Sequence, residues 1–178
     1  MTNAPVDLRE IEAALRPHGE SLMLPRAAYT DPAVLAWERR HFFAAHWTCV
    51  GRLAELADGT TQRAIQVGDV GVVLAFGKET RAFANVCRHR GHELLPRGES
   101  SDRPTVVCPY HGWAYQLDGS VRNAPRMGDG FDPAPYGLVE LPTEVWHGWV
   151  FVNALGTAGP FSEYIGGMAD LVAPYKPE

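Results

Sequence analysis

The sequence predicts a mainly β fold, an antiparallel β-sandwich or barrel with helices before it and a short helix after it. After Trp47 the chain breaks into short segments rich in β-branched and aromatic residues, separated by Gly, Asp and Pro turns. The segments before Trp47 instead show apolar residues at helical spacing. A chain of 178 residues suits one domain and is long enough to bury a core.

Two helices are predicted in the amino-terminal segment, residues 1–46. The stretch DLREIEAAL has apolar residues at helical spacing, and Pro17 and Gly19 would end that helix. The stretch DPAVLAWERRHFFAAHW predicts a second helix, with Asp31 as its N-cap and Pro32 at its first position.

The β domain is predicted over residues 47–157. About eight strands are expected, at a spacing typical of a small sandwich or barrel. They are WTCVGR, TQRAIQVG, VGVVLAFG, RAFANVC, TVVCP, WAYQLDG, GLVELP and VWHGWVFVNA. The remaining residues, 158–178, predict a short helix that ends before Pro174.

Charge and hydropathy exclude some functions. A net charge of −5 argues against nucleic acid as the main partner, because phosphate binding needs a basic surface. No apolar run approaches the length needed to span a bilayer, and the first residues do not resemble a secretory signal. We therefore expect a cytoplasmic protein without a membrane partner.

Three cysteines are present, an odd number that does not suggest a secreted disulfide framework. In a reducing compartment such thiols are better explained as ligands, nucleophiles or core residues. Cys49 lies in a predicted strand and is expected to be a buried apolar residue. Cys87 and Cys108 each lie close to histidines, which points to a shared metal site.

These histidines and cysteines form two short motifs, one in NVCRHRGHELLP and one in CPYHGW. The pattern is C-x-H, then eighteen residues, then C-x-x-H. Both motifs follow predicted strands, so two facing loops can direct four ligands toward one point. The candidate ligands are Cys87, His89, Cys108 and His111.

Two thiolates and two imidazoles suit zinc, or iron with sulfide. Zinc sites usually pair cysteine with cysteine and histidine with histidine, whereas each loop here supplies one of each. That arrangement favours a two-iron cluster in which both thiolates hold one iron and both imidazoles the other. His41 and His46 are five residues apart and do not align on one helical face, so ordinary helix and surface roles are expected for them.

The stretch CRHRGHELLP…VVCPYHGWAYQLDGSVRNAP resembles the Rieske domain of the oxygenase component, or α subunit, of Rieske non-haem iron oxygenases of the ring-hydroxylating type. The resemblance extends from about Trp47 to about Asn153. The stretch LPRAAYTDPAVLAWERRHFFAAHWTCVGR is also similar to the branch that includes quaternary-amine oxygenases. The resemblance implies a Rieske-type β fold with two cluster-binding loops and a Rieske [2Fe-2S] cluster.

The resemblance also implies a function and partners. Such a cluster receives electrons from a reductase or ferredoxin fed by NAD(P)H and passes them to a mononuclear Fe(II) in the catalytic domain of the same or a neighbouring subunit. That iron is held by two histidines and a carboxylate in a carboxy-terminal domain. This chain has no histidine after His147, and its tail offers only Glu163, Asp170 and Glu178 as carboxylates. We therefore expect electron transfer without the catalytic domain.

Two alternatives stay open at this point. The first is a stand-alone Rieske ferredoxin-like electron carrier. The second is a zinc-stabilised β domain that binds partners.

The residues around the candidate ligands suggest how a cluster would be tuned. High-potential Rieske proteins carry an extra cysteine in each loop and a serine after the second His-Gly; the corresponding positions here resemble His92, Tyr110 and Trp113. We therefore expect no hydroxyl donor at that position and a potential in the lower part of the Rieske range. Gly91 and Gly112 are expected to let the backbone fold close to the sulfides and direct N–H groups at them.

Overall fold

A computed structural model describes residues 3–175 and shows a mainly antiparallel β protein with short helices toward both ends. The predicted fold class is therefore confirmed. None of the helices in the described range is both long and apolar enough to cross a membrane.

The described amino-terminal segment forms three helices, and the first and third begin where the sequence predicts. They are α1 (Leu8–Ala14), α2 (Arg26–Thr30) and α3 (Pro32–Glu38), and α3 continues as a π-helical segment, Arg39–Ala44. The carboxylate of Asp31 accepts a hydrogen bond from the Ala33 N–H at 2.8 Å, which confirms the predicted N-cap. Helix α2 was not predicted. The Nδ1 atom of His41 lies 2.8 Å from the carbonyl oxygen of Trp37, and the two rings stack.

The described residues form eleven strands, more than predicted, because several are only two or three residues long. They are β1 (Thr48–Arg52), β2 (Gln62–Val67), β3 (Val70–Phe76), β4 (Thr80–Ala84), β5 (Ser100–Ser101), β6 (Val106–Val107), β7 (Ala114–Tyr115), β8 (Val121–Asn123), β9 (Glu140–Leu141), β10 (Thr143–Trp146) and β11 (Trp149–Val152). A short helix, α4 (Leu53–Leu56), follows β1, and a 3-10 turn, Ala134–Tyr136, precedes β9.

The strands form three sheets. Their orders are β1-β11-β10, β5-β2-β3-β4-β9 and β6-β7-β8, and every pairing is antiparallel. Strand β5 lies in the long connection between the two Cys/His motifs and pairs with β2. This connection therefore contains an edge strand as well as turns.

Strand β3 separates two hydrophobic cores. Val72 and Leu74 pack with β11 and β9 in one core, while Val73 and Ala75 face the other. This second core contains Cys87 and Cys108, the first residues of the two Cys/His motifs. Because successive side chains of a strand point to opposite faces, a strand buried on both faces must be apolar throughout. The uninterrupted apolar run of β3 meets this requirement and places one core directly beneath the two Cys/His loops.

Cys49 is exposed, so the prediction that it is a buried apolar residue is wrong. It lies on β1, in register with Phe151 of β11. Strand β1 is at the edge of its sheet, and the pleat turns the Cys49 side chain away from the core.

The tail forms two helices instead of the one predicted, α5 (Phe161–Ile165) and α6 (Met168–Val172). Gly166 has a positive φ of 47° and interrupts the helix between them. Helix α6 ends at Val172, before Pro174 as predicted, and a separate 3-10 turn, Ala173–Tyr175, follows it. Glu178 lies outside the described residues. The proposed boundaries 1–46, 47–157 and 158–178 stay predictions.

A buried asparagine links the amino-terminal segment, the β domain and the tail. The amide of Asn153, fully buried after β11, donates hydrogen bonds to the carbonyl oxygens of Ala44 and His46 at 3.2 and 3.0 Å. Its side-chain oxygen accepts one from the Ala158 N–H at 3.0 Å. Asn153 thus satisfies the backbone groups at this junction, on the far side of β3 from the Cys/His loops.

Candidate metal centre

Two loops with the same backbone turn carry the predicted ligands. The first loop, residues 87–92, follows β4, and the second loop, residues 108–113, connects β6 with β7. The Cys87 N–H donates to the His92 carbonyl at 2.8 Å, and the Cys108 N–H donates to the Trp113 carbonyl at 2.8 Å. Both turns therefore begin at a cysteine and close five residues later.

A glycine in the left-handed conformation completes each turn. Gly91 has φ of 72° and Gly112 has φ of 74°, values that an L side chain rarely adopts. Their N–H groups donate to the carbonyl oxygens of Cys87 and Cys108 at 2.9 and 3.1 Å. The glycines thus fold the backbone tightly as expected, but their N–H groups close the turns and are not free for sulfides.

The structure brings the four predicted residues to one end of the domain. Cys87 and Cys108 are buried in the same core, each with an exposed fraction of 2%. The rings of His89 and His111 are partly buried, and their centroids are 4.9 Å apart. Within residues 3–175, no three His, Cys, Asp or Glu side chains are close enough to hold a single metal ion. The two thiols contact each other and form one pair, and the two imidazoles form another.

Burial favours the neutral forms of Cys108 and His111. It raises the pKa of the Cys108 thiol, and the adjacent Cys87 thiol raises this pKa further. Burial lowers the pKa of His111, and the nearby charges of His89, Arg90 and Arg126 lower it further. Iron at this site would have to displace the thiol protons, as metal ions commonly do.

An unpartnered nitrogen shows that a ligand fits here. The buried Nδ1 atom of His111 has no hydrogen-bond partner among the described residues. Such an atom is costly unless something else satisfies it. Iron bound at Nδ1 would remove that cost, and two thiols with two imidazoles are the donor set of a Rieske cluster. The chemistry of the site therefore fits that group.

Tyr115 contributes a hydroxyl group that the sequence analysis missed. Its phenol oxygen lies 3.2 Å from the Cys87 Sγ atom and accepts a hydrogen bond from the Arg88 N–H at 3.0 Å. Burial raises the pKa of this phenol, so it keeps its proton. The serine position has no hydroxyl, as expected, but Tyr115, two residues further along, supplies one. Alternation along β7 could have revealed it, since Trp113 and Tyr115 share a face.

An aromatic cluster covers the imidazole of His89. The Trp113 ring is fully buried and stacks on the His89 ring, at 4.9 Å between centroids and 7° between planes. Phe131 and Tyr136 contact Trp113 in edge-on arrangements, with ring centroids 5.6 and 5.9 Å from that of Trp113. Trp113 is therefore both a core residue and a cover for His89. Phe131 and Tyr136 were missed, because no Cys/His spacing indicates them.

The exposed rim of the site is basic and aromatic. Arg88, Arg90 and Tyr110 are exposed, and the Tyr110 ring lies 3.8 Å from that of His111. His92 is also exposed, and its Nδ1 atom is 2.6 Å from the Glu93 carbonyl oxygen. His92 thus bonds to the backbone of the next residue in the chain.

The protein family and the curated relatives that this chain matches agree with one another. The Rieske [2Fe-2S] domain family matches residues 46–142. The carnitine monooxygenase oxygenase subunit of Escherichia coli (strain K12) is 34% identical over 163 residues, covering 89% of this chain and 43% of the relative. The glycine betaine monooxygenase oxygenase subunit of Chromohalobacter salexigens is 35% identical over 158 residues, covering 86% and 35%.

The fold is also similar to that of solved structures. A quaternary ammonium Rieske monooxygenase, whose structure was described in connection with carnitine oxidation and inter-subunit electron transfer, matches with a TM-score of 0.70 and 34% identity. The match covers 84% of this chain and 42% of that one. The chain spans less than half the length of the curated relatives that it matches.

Proposed function

Because the chain belongs to the Rieske [2Fe-2S] domain family, we propose that it carries electrons to an oxygenase iron through a two-iron cluster held by the two loops. The proposed ligands are Cys87, His89, Cys108 and His111. A cluster with these ligands accepts and releases single electrons.

The pairing of thiols and imidazoles is the observation that carries this proposal. Two identical turns present one cysteine and one histidine each, and the cysteines lie deeper than the histidines. In a Rieske centre one iron takes the two thiolates and the other takes the two imidazoles. A buried thiol pair beside a more exposed imidazole pair supports this division, with the histidine side nearer to solvent and to redox partners.

The chain's own residues have distinct tasks in the proposal. The turn of each loop fixes the ligand positions, and Trp113 excludes water from one face of His89. With iron bound, Tyr115 would donate a hydrogen bond to the Cys87 sulfur, which lies 3.2 Å from its phenol oxygen. The exposed Arg88 and Arg90 place positive charge beside the ligands, which favours approach of an anionic redox partner.

We further propose the route of the electrons. A reductase or ferredoxin fed by NAD(P)H would reduce the cluster, and the acceptor would be a mononuclear Fe(II) in a catalytic domain of the same or a neighbouring subunit. Supporting this route are relatives named as oxygenase subunits and the related structure described with inter-subunit electron transfer.

Metal analysis and reduction kinetics test the proposal together. Protein purified under iron-replete conditions should contain two irons and two acid-labile sulfides per chain, as a [2Fe-2S] domain requires. An NADH-fed ferredoxin system should then bleach its visible absorbance in a stopped-flow experiment. One zinc per chain without sulfide would refute the proposal and favour the zinc-stabilised binding domain. A cluster that dithionite reduces but the ferredoxin system does not would refute the proposed donor.

A further inference from the structure

Asn85 is a buried polar residue that none of the ligand motifs includes. It lies two residues before Cys87, with an exposed fraction of 4%. Its amide nitrogen donates to the Leu95 carbonyl at 2.7 Å and to a Glu93 carboxylate oxygen at 3.4 Å. Its amide oxygen accepts from the N–H groups of Leu94 and Leu95 at 3.2 and 3.1 Å. One side chain thus bonds to three consecutive residues on the opposite side of the first loop.

The two loops differ in what holds their bases together. Strands β6 and β7 flank the second loop and pair through Val106 with Tyr115 and Val107 with Ala114. The first loop has only one isolated bridge at its base, between Val86 and Glu93. Leu94 and Leu95, which follow Glu93, belong to no strand, so the described residues show no further pairing beyond that bridge. The hydrogen bonds of Asn85 occupy the place of that missing pairing.

Corresponding positions in the two loops show the same difference. The residue two before Cys87 is Asn85, whereas the residue two before Cys108 is Val106, a buried strand residue with an apolar side chain. A valine cannot bond to backbone groups through its side chain, and in the second loop it need not, because the strand ladder already does so. An asparagine is needed only where the ladder is absent.

The surroundings of Asn85 leave little freedom for its side chain. Its N–H donates to the Gly71 carbonyl at 2.9 Å, and a methyl group added at Gly71 would lie 3.4 Å from the Asn85 Cβ atom. This separation is ordinary van der Waals contact, and the hydrogen bond to the Gly71 carbonyl holds the Asn85 backbone against β3. The amide is held in one orientation by donors and acceptors on the returning segment.

We propose that Asn85 is a positioning residue that closes the first loop and thereby fixes the Cys87 and His89 ligands, a role that rests on the proposed function. The second loop is fixed by β6 and β7 and needs no such residue. Opening of the first loop would move one thiolate and one imidazole at once, one ligand from each iron. Asn85 therefore limits both the loss of the cluster and the spread of its ligand geometries.

Asn85→Ala tests this role with Asn153→Ala as a matched control. Both variants remove a buried asparagine that bonds to backbone groups, but Asn153 lies in the other part of the domain. Cluster release is measured as loss of visible absorbance in the presence of an iron chelator, and the electron paramagnetic resonance spectrum of the reduced protein reports ligand geometry. Thermal unfolding of both variants measures the general loss of stability.

We expect Asn85→Ala to release the cluster at least about tenfold faster than the unmodified chain, because several hydrogen bonds are lost at once and each contributes to keeping the loop closed. The electron paramagnetic resonance lines of the reduced Asn85→Ala protein should broaden or shift. Asn153→Ala should lower the unfolding temperature but leave the release rate and the resonance spectrum unchanged. A larger effect of Asn153→Ala on cluster release, or equal effects of the two variants, would refute the inference.

Asn85→Asp decides the question if Asn85→Ala does not fold. An aspartate keeps the acceptor for the Leu94 and Leu95 N–H groups but places a carboxylate oxygen against the Leu95 carbonyl and the Glu93 carboxylate, to which the amide nitrogen now donates. Its release rate should therefore exceed that of the unmodified chain. Release from Asn85→Asp at the unmodified rate with an unchanged spectrum would refute the role of Asn85 and leave the proposed function intact. An unmodified chain without any cluster would refute both.

Discussion

The phenol oxygen of Tyr115 lies 3.2 Å from the Sγ atom of Cys87 and at the same time accepts a hydrogen bond from the Arg88 N–H. A phenol has one proton to donate, and a thiolate bound to iron has none. With iron bound, Tyr115 must therefore be the donor and the sulfur the acceptor. Such a bond becomes stronger when an added electron makes the sulfur more negative.

Tyr115→Phe should therefore lower the reduction potential. Only the gain in strength on reduction shifts the potential, so the full contribution of a hydrogen bond, about 0.5–1.5 kcal/mol, sets an upper bound of about 20–60 mV on the fall for one electron. Protein-film voltammetry measures the shift. Tyr110→Phe is the control, because the Tyr110 side chain is exposed and it is the backbone N–H of Tyr110, which the substitution keeps, that bonds to the Cys108 sulfur. Equal potentials for Tyr115→Phe and the unmodified chain would show that the hydroxyl does not act on the cluster.

The three cysteines should respond differently to substitution by alanine. Cys87→Ala and Cys108→Ala each remove a proposed ligand, so the visible absorbance of the cluster should be lost. Cys49→Ala should keep the spectrum and change the free energy of unfolding by less than about 0.5 kcal/mol, because Cys49 is exposed on an edge strand. Absorption spectra and denaturant unfolding check both statements. A bleached but folded Cys49→Ala protein would contradict the ligand assignment.

The parts of the fold set by local sequence could be predicted. The cap formed by Asp31 and the apolar run of β3 follow from side-chain chemistry and spacing alone. The two Cys/His motifs were recognisable because they are contiguous, and the glycines at the fourth position after each cysteine mark the turns. The structure places the two Cys/His motifs side by side at one end of the domain.

Features that depend on contacts between distant segments could not be predicted. The exposure of Cys49 follows from the position of β1 at a sheet edge, which no single segment reveals. Phe131 and Tyr136 contact Trp113 only because a later loop returns to the cluster end. The role of Asn85 depends on the absence of a strand ladder on the far side of its loop. Pairing and burial decide these points, and both are tertiary properties.

The turn between β7 and β8 should give a small dependence of stability on pH. The Ser120 hydroxyl and N–H donate to the Asp118 carboxylate at 2.6 and 2.9 Å, and these bonds lower the pKa of Asp118 below its ordinary value of 3.8. A lowered pKa in the folded state means that the stabilisation is complete above 3.8 and is lost as the pH falls through the folded value.

This contribution is measured as the free energy of unfolding of the unmodified chain and of Asp118→Asn. Both are compared between pH 6 and pH 2, about four units that span the aspartate range. The difference in free energy of unfolding should be constant above the ordinary aspartate pKa and shrink below it, by less than about 1 kcal/mol because Asp118 is exposed. Both proteins carry the cluster, so its own sensitivity to acid cancels in the difference. A difference that grows as the pH falls would contradict the assigned direction.

Removal of the iron should loosen the two loops and leave the central sheet intact. Strand β3 is hydrogen-bonded to β2 on one side and β4 on the other, and its middle residues are fully buried. The first loop, in contrast, is closed by its turn, one bridge and the Asn85 side chain. Local opening occurs first where backbone bonds are few and near solvent. After chelation, amide exchange should therefore accelerate at residues 87–92 more than at 108–113, since strands flank only the second loop, while Val72–Ala75 of β3 stay protected. Hydrogen exchange followed by mass spectrometry measures all three segments in one experiment, and equal acceleration across β3 and both loops would show that the cluster maintains the whole fold.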